Sequence, residues 1–249
     1  MNKLDALRER ATDLGLHGIV AHWNDIAAAD WVERAIEWEE QERAQRSLER
    51  RLVNARLKSF KPLCDFDWSW PQSCDRAAFE SLMTLEFIKE AANVVVVGPN
   101  GVGKTTLVSN IAYQAAVQGY TVLFTTASKM LGDLAALDSD TALRSRFQYY
   151  ARPSLLCVDE VGSLSYSNRH ADLLFEIVSR RYEKKSTIIT TNKEFSGWSE
   201  FFPNAASVVA MIDRLVHHAD ILEIQGDSYR AKESQERNER RANKRKTKS

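Results

Sequence analysis

The run Gly98-Pro99-Asn100-Gly101-Val102-Gly103-Lys104-Thr105 has the spacing G-x-x-x-x-G-K-[ST] of a loop that wraps nucleotide phosphates. Its glycines let the backbone curl until successive N–H groups converge on phosphate oxygens at a helix N-terminus. In that reading Lys104 reaches the outer phosphates and the Thr105 hydroxyl is a ligand of Mg²⁺. The context the motif needs is present. The apolar run Val94-Val95-Val96-Val97 precedes it, and a helical pattern starts near Lys104. Nucleotide contacts are therefore expected from Gly98, Pro99, Asn100, Gly101, Val102 and Gly103 through Lys104, Thr105 and Thr106.

A second constellation ends an apolar run: Ser154-Leu155-Leu156-Cys157-Val158-Asp159-Glu160. Ligands of open α/β sheets bind at strand C-termini. Asp159 is expected in the Mg²⁺ shell, and Glu160 as the general base that polarises the attacking water. The second carboxylate favours hydrolysis over mere binding. Ile188-Ile189-Thr190-Thr191-Asn192 supplies a polar strand end, and Asn192 is read as the group that orients the water between Glu160 and the γ-phosphate. Guanidinium groups neutralise charge that develops in phosphoryl transfer. Arg180 and Arg181 end one predicted helix and Arg214 lies on another; either member of the first pair could act on a neighbouring subunit's nucleotide, or simply complement a helix dipole. His217-His218 reads as a helix end without a third metal ligand, and Cys157 as inert core.

The elements that must position these groups follow from hydrophobic periodicity. From Asn93 onward, short apolar runs at Val94–Val97, Thr121–Phe124, Leu155–Val158, Thr187–Thr190 and Ile221–Ile224 alternate with helical patterns at Lys104–Gln118, Ser128–Leu137, Thr141–Tyr150, Ala171–Lys184 and Ala205–His218. Nearly continuous apolar strands separated by helices predict an α/β fold whose mostly parallel, five-stranded sheet is covered on both faces. Residues 1–61 contain no proline and only two glycines, and predict a small all-α domain. Residues 62–78, with Phe66, Trp68 and Trp70, read as an aromatic connection that packs against the main domain at 79–230. Residues 231–249 read as a basic disordered tail.

Composition sets the outer limits. The chain has 249 residues, 44% of them hydrophobic, enough for one large core and a small appendage. No apolar run is long enough to span a membrane, and the first residues lack the pattern of a secretory signal. Cys64, Cys74 and Cys157 make neither a disulfide framework nor a zinc motif. These features predict a cytoplasmic protein with no membrane partner. The zero net charge conceals a division. Arg43 to Lys61 carries seven Lys/Arg against one acid, and Arg230 to Ser249 carries nine against three. Two basic segments on an acidic body point either to an anionic polymer or to solvated helix faces.

The order of phosphate loop, Asp-Glu strand, Thr-Thr-Asn, arginine pair and Asp213-Arg214 resembles the AAA+ ATPases of the DnaC-like branch, and most closely the IstB-like transposition helper proteins of insertion sequences. Further matching segments are Arg50-Arg51-Leu52-Val53-Asn54-Ala55-Arg56-Leu57-Lys58, Ser179-Arg180-Arg181-Tyr182-Glu183 and Gly226-Asp227-Ser228-Tyr229-Arg230. The resemblance implies a P-loop AAA+ core that uses ATP and Mg²⁺. It also implies assembly as a homo-oligomer on double-stranded DNA and presentation of a target to a cognate transposase, with nucleoid association when DNA-bound. It makes Arg180 or Arg181 the arginine finger and Arg214 a second sensor. DNA contact is expected from Arg50, Arg51, Arg56 and Lys58, mainly with phosphates. A helicase loader acting on single-stranded DNA, and a nucleotide-gated module with negligible turnover, are the alternatives that ATPase assays with and without DNA separate.

Overall fold

The helical spacing of the first residues builds four helices: α1 (Lys3–Asp13), α2 (His17–Ala21), α3 (Trp23–Ile26) and α4 (Val32–Ala55). Leu7 and Ala11 of α1 pack with Trp23 of α3 and with Val32 and Ile36 of α4. Arg10 closes this cluster with a two-point contact to Glu40, at 2.8 and 2.6 Å. The computed structural model describes residues 2–57, 60–163, 166–202 and 205–246. It divides into two compact units, Met1–Arg50 and Arg51–Ser249, and the division falls within α4 rather than at residue 61.

In the second unit the predicted apolar runs become β2 (Asn93–Val97), β3 (Val122–Thr126), β4 (Leu155–Val161), β5 (Ser186–Thr191) and β6 (Ala219–Gln225), all mutually parallel, preceded by β1 (Ser73–Cys74). The sheet therefore has six strands, in the order β1-β6-β2-β5-β4-β3. The sixth corrects the expectation of five. Ser73 and Cys74 pair antiparallel with Gln225 and Ile224, and two residues are too few to show an alternating pattern.

Strand alternation divides the core into two layers. Leu155, Cys157 and Ile188 face one side, where they meet α5 (Arg76–Met83), α6 (Glu86–Lys89) and α7 (Lys104–Val117). Leu156, Val158 and Ile189 face the other, against α8 (Ala127–Ala135), α9 (Asp140–Ala151), α10 (Asn168–Arg181) and α11 (Ala205–Val216). The strand order puts β5 between β2 and β4, so the C-terminal ends of these three strands lie side by side. Everything the phosphate loop, the acidic pair and Asn192 can do depends on that adjacency.

The expectation of a disordered tail is also corrected. Tyr229–Lys246 forms a helix, α12. It has no apolar stripe because its stability comes from other sources. The segment is rich in Glu, Lys, Arg and Ala, which are good helix formers, and Ser228 caps it by accepting from the Ala231 N–H at its side-chain oxygen, 3.3 Å away.

Candidate nucleotide site

The loop between β2 and α7 turns as its glycines allow. Gly103, at φ +107°, is the left-handed residue immediately before α7, and a Cβ there would lie 2.6 Å from the Phe66 ring. Gly101, at φ +86°, would collide with Ser228 if it carried a side chain, and its carbonyl accepts the Tyr229 N–H at 3.0 Å. The loop is thus covered by two segments remote in sequence, the aromatic connection and the turn into α12.

Lys104 is buried, and its ammonium donates to Gly98 O at 2.6 Å and Pro99 O at 2.7 Å. Burial lowers its pKa below the ordinary lysine value; Asp159 opposes that fall and Arg230 adds to it. A cation held by its own loop carbonyls beside a second cation is poised for an anion. Thr105 Oγ1 donates to the Asp159 carboxylate, at 3.2 and 3.0 Å from its two oxygens. A hydroxyl and a buried carboxylate are hard oxygen donors of the kind Mg²⁺ takes, so the donor set fits that ion.

Asp159 and Glu160 are adjacent but differently placed. Asp159 is buried, whereas Glu160 is exposed on the cleft wall with φ +62°. The register between β4 and β5 slips between Val158 and Val161, and this bulge turns Glu160 out of the strand's regular alternation. Thr190 holds the irregularity: its hydroxyl accepts the Glu160 N–H at 2.9 Å and donates to Asp159. Beyond it, the Asn192 side-chain oxygen is buried on the wall of the same cleft and, among the described residues, has no hydrogen-bond partner.

The cleft measures about 800 Å³, within the range for small-molecule sites. It is lined by residues 100–106, Asp159, Glu160 and Asn192, together with Phe66, Trp70, Tyr229 and Arg230 from the covering segments. The covering segments are braced against each other. Trp70 Nε1 donates to Asp227 O at 2.9 Å, Lys232 lies 3.2 Å from Asp67 and 4.3 Å above the Trp70 ring, and Lys61 pairs with Glu233. Among the described residues no ion pair engages Arg230. Trp70, Tyr229 and Arg230 carry no site signal in the sequence alone, although Tyr229-Arg230 lies in a segment that matches the family pattern.

The model of the IstB-like ATP binding protein family matches residues 3–237. This chain belongs to that family. Its relatives include the putative ATP-binding protein of insertion sequence IS21 from Pseudomonas aeruginosa, 37% identical over 80% of this chain and 75% of that one. Another is that of IS5376 from Geobacillus stearothermophilus, 33% identical over 86% of this chain and 85% of its own. Among solved structures, DnaI superposes with TM-score 0.57 at 20% identity over 68% of this chain and 92% of that one. DnaA from Aquifex aeolicus, bound to AMPPCP, gives 0.56 at 22% identity over 73% and 56%. The chain carries a helical N-terminal region followed in sequence by an AAA+ α/β fold, as the family resemblance implied.

Of the remaining expected residues of this family member, Arg56 lines the cleft, whereas Arg50, Arg51, Arg180, Arg181 and Arg214 do not. Arg181 is 1% exposed, and its guanidinium donates to Ala151 O and Pro153 O, both at 2.9 Å, to Ser186 O and to Thr187 Oγ1 at 3.0 Å. Arg180 is part-exposed, paired with Glu176 at 2.6 Å and lying 4.8 Å from the Phe147 ring centre. Arg214 does not line the cleft; it donates to Ser179 Oγ and lies over Phe175. Arg50 is exposed, Arg51 donates to Ala116 O at 2.8 Å, and Arg56 is exposed, with φ +54° and its guanidinium 5.4 Å from the Tyr149 ring centre. Lys58 lies outside the described residues. Cys157 is fully buried, and burial pushes its thiol pKa up, as inert core should be. The His217-His218 pair does have a third potential ligand, Glu183, which corrects the reading of a bare helix end. Among the described residues no helix is long and apolar enough to cross a membrane.

Proposed function

We propose that this protein is an Mg²⁺-dependent ATPase that assembles as a homo-oligomer on duplex DNA and presents target DNA to the transposase of its insertion sequence. Hydrolysis then drives disassembly or remodelling on the nucleoid. One observation carries the enzymatic part: the exposed Glu160 and the buried Asn192, whose oxygen has no partner among the described residues, line the same cleft as Lys104. A module that only binds nucleotide has no use for a base and a water-orienting acceptor opposite the phosphate-binding lysine.

The residues divide the work. Loop N–H groups and Lys104 take the β- and γ-phosphates, Lys104 exchanging two carbonyl acceptors for phosphate oxygens. Thr105 and Asp159 would hold Mg²⁺, which when bound neutralises charge on the phosphate oxygens. Asn192 accepts one hydrogen of the attacking water and Glu160 takes its proton. Arg230 faces the phosphates from within the same chain. Arg180 is the arginine presented to a neighbouring subunit, because Arg181 is committed to carbonyls inside the fold. Trp70 and Tyr229 flank the base.

DNA binding is assigned to exposed Arg50 and Arg56 and to Lys58, with Arg51 serving the fold; the insertion-sequence relatives support a transposition context. The test is ATP hydrolysis without DNA, with single-stranded DNA and with duplex, while following assembly size by light scattering. Stimulation by duplex together with large ATP-dependent assemblies supports the proposal. Activity that responds only to single strands overturns the duplex role in favour of helicase loading, and absent turnover overturns the ATPase itself.

A further inference from the structure

At the end of the sheet opposite the nucleotide cleft, two turns bring three metal-binding side chains together. Glu183 follows α10, and His217-His218 follow α11. Glu183 Oε1 lies 4.0 Å from His217 Nδ1 and 3.7 Å from His218 Nε2, and one ligand atom from each residue falls within 4.8 Å of the others. The two imidazole rings are 4.0 Å apart, centre to centre. Tyr182 OH, 2.8 Å from the same Nδ1, holds the His217 ring on this side.

The backbone beneath these groups is fixed. Glu183 has φ +54°, a left-handed conformation that costs a non-glycine residue about 1–2 kcal/mol and that the surroundings enforce. The Lys184 and Lys185 N–H groups both close on Arg181 O, at 3.0 and 2.9 Å, while the buried Arg181 guanidinium ties α10 to the start of β5. On the other side, His218 O accepts the Asn93 N–H at 2.7 Å, and the Asn93 side-chain oxygen accepts the Thr187 N–H at 3.0 Å. One buried asparagine thus links the strand entry after the histidines to the strand entry after the glutamate.

We propose that Glu183, His217 and His218 form a binding site for one divalent cation of the zinc class, clamping the end of α10 to the end of α11. Two imidazole nitrogens and one carboxylate oxygen suit Zn²⁺ and its transition-metal neighbours, whereas Mg²⁺ and Ca²⁺ want oxygen alone. Zinc bonds of about 2.0–2.2 Å set tetrahedral ligands roughly 3.3 Å apart. The Glu183 oxygen stands about 0.7 and 0.4 Å beyond that from the two histidine nitrogens, which lie within 4.8 Å of each other, so side-chain rotation must close the set; at 52–56% exposed, the side chains have room to do so. The metal displaces Tyr182 OH from Nδ1, and water completes the shell. The clamp has a consequence that rests on the reading of Arg180 above. Arg180 lies one turn before Glu183, Arg214 lies one turn before His217, and Arg214 bonds Ser179. A bound cation therefore stiffens the surface that carries the arginine offered to the next subunit.

The site is tested on the untagged full chain, free of nucleotide and Mg²⁺, by titration with Co²⁺ followed in visible absorption and with Zn²⁺ followed by calorimetry. One equivalent is expected, without a near-ultraviolet thiolate band. Affinity should fall at least ten-fold in Glu183→Gln, His217→Ala and His218→Ala, all of which keep the wild-type circular dichroism spectrum. Zn²⁺ should raise the thermal midpoint of the wild type and leave that of His218→Ala unmoved. No binding by the wild type, equal binding by the variants, or a thiolate band that disappears in Cys64→Ser would each overturn the proposal. These readouts do not involve ATP turnover, so they stand or fall separately from the ATPase reading.

Discussion

The Thr190 hydroxyl receives the backbone N–H of Glu160 at 2.9 Å. That single bond explains how two adjacent carboxylates come to have different environments. Glu160 occupies the left-handed region in a bulged strand, and its N–H has left the regular ladder. Thr190, on the neighbouring strand, replaces the missing acceptor and donates its own O–H in a hydrogen bond to Asp159. Asp159 is thereby held on Thr105, while the Glu160 side chain is free to face water. Strain of this kind persists only where its surroundings enforce it.

Glu160→Gln should bind ATP with near wild-type affinity but hydrolyse it about 10²–10⁴-fold more slowly, the usual worth of a general base. If the proposal of a DNA-bound oligomer holds, the variant should also trap that assembly. Single-turnover kinetics with nucleotide binding measured in parallel separates the two effects. Normal turnover in this variant would mean that another group takes the proton.

Thr190→Val keeps the side-chain shape and removes both hydrogen bonds. The part-buried Glu160 N–H then lacks its acceptor, at a cost of about 1 kcal/mol, read as a lower urea midpoint. Turnover should fall along with it because Glu160 loses its fixed position. A stable variant with reduced turnover would assign Thr190 to positioning alone, and a destabilised one with normal turnover to structure alone.

Arg180 and Arg181 should respond oppositely to substitution. Arg181→Ala strands carbonyls at Ala151, Pro153 and Ser186 inside the fold. A loss on the order of 3 kcal/mol or more is expected in denaturant unfolding. Arg180→Ala removes one part-exposed ion pair, worth about 0.3–0.5 kcal/mol, but should cost about 10³-fold or more in turnover of the assembled protein. Mixing Arg180→Ala with a Lys104→Ala variant should restore some activity, since an arginine acting between subunits can be supplied by a different chain from the one that binds ATP.

What could be read in advance was what lies close together in sequence. The phosphate loop, the Asp-Glu strand end and the Thr-Thr-Asn run each fit within eight residues, and the parallel-strand pattern already implied that their ends converge. Contacts across long separations were not visible. Phe66 closes over Gly103, Ser228 over Gly101, and Trp70 bonds Asp227 across 157 positions. Periodicity reports the faces of single elements and carries no information about which loops meet. The same limit hid Glu183 from His217 and His218. Neighbouring residues of one type posed a second difficulty: only the helix phase of α10, expressed as burial, distinguishes Arg181 from Arg180. The α12 helix leaves no periodic signal in the sequence because it is made by propensity and a cap, without an apolar stripe.

The basic segment at the end of α4 also separates by function. Arg50 and Arg56 are exposed, so replacing both with Ala should weaken duplex binding across sequences. The slope of log affinity against log salt should decrease by about 0.9 for each lost phosphate contact. Arg51→Ala should instead lower stability, because its guanidinium bonds a carbonyl in the last turn of α7. Salt-titrated fluorescence anisotropy alongside thermal unfolding distinguishes the two. An unchanged slope in the Arg50/Arg56 double variant would return this segment to the status of a solvated helix face.

Trp70 offers a last discrimination, between binding and chemistry. It lines the cleft, and its ring N–H bonds the Asp227 carbonyl just ahead of α12. Trp70→Ala should weaken ATP binding about ten-fold or more, since aromatic stacking on a base is worth about 1–3 kcal/mol. The rate at saturating ATP should change little, because Lys104, Glu160 and Asn192 stand on other elements. A raised KM with an unaltered kcat is the signature of binding lost equally from ground and transition states. If kcat falls and KM holds, Trp70 acts instead by fixing the α12 turn and, through it, the position of Arg230 over the phosphates.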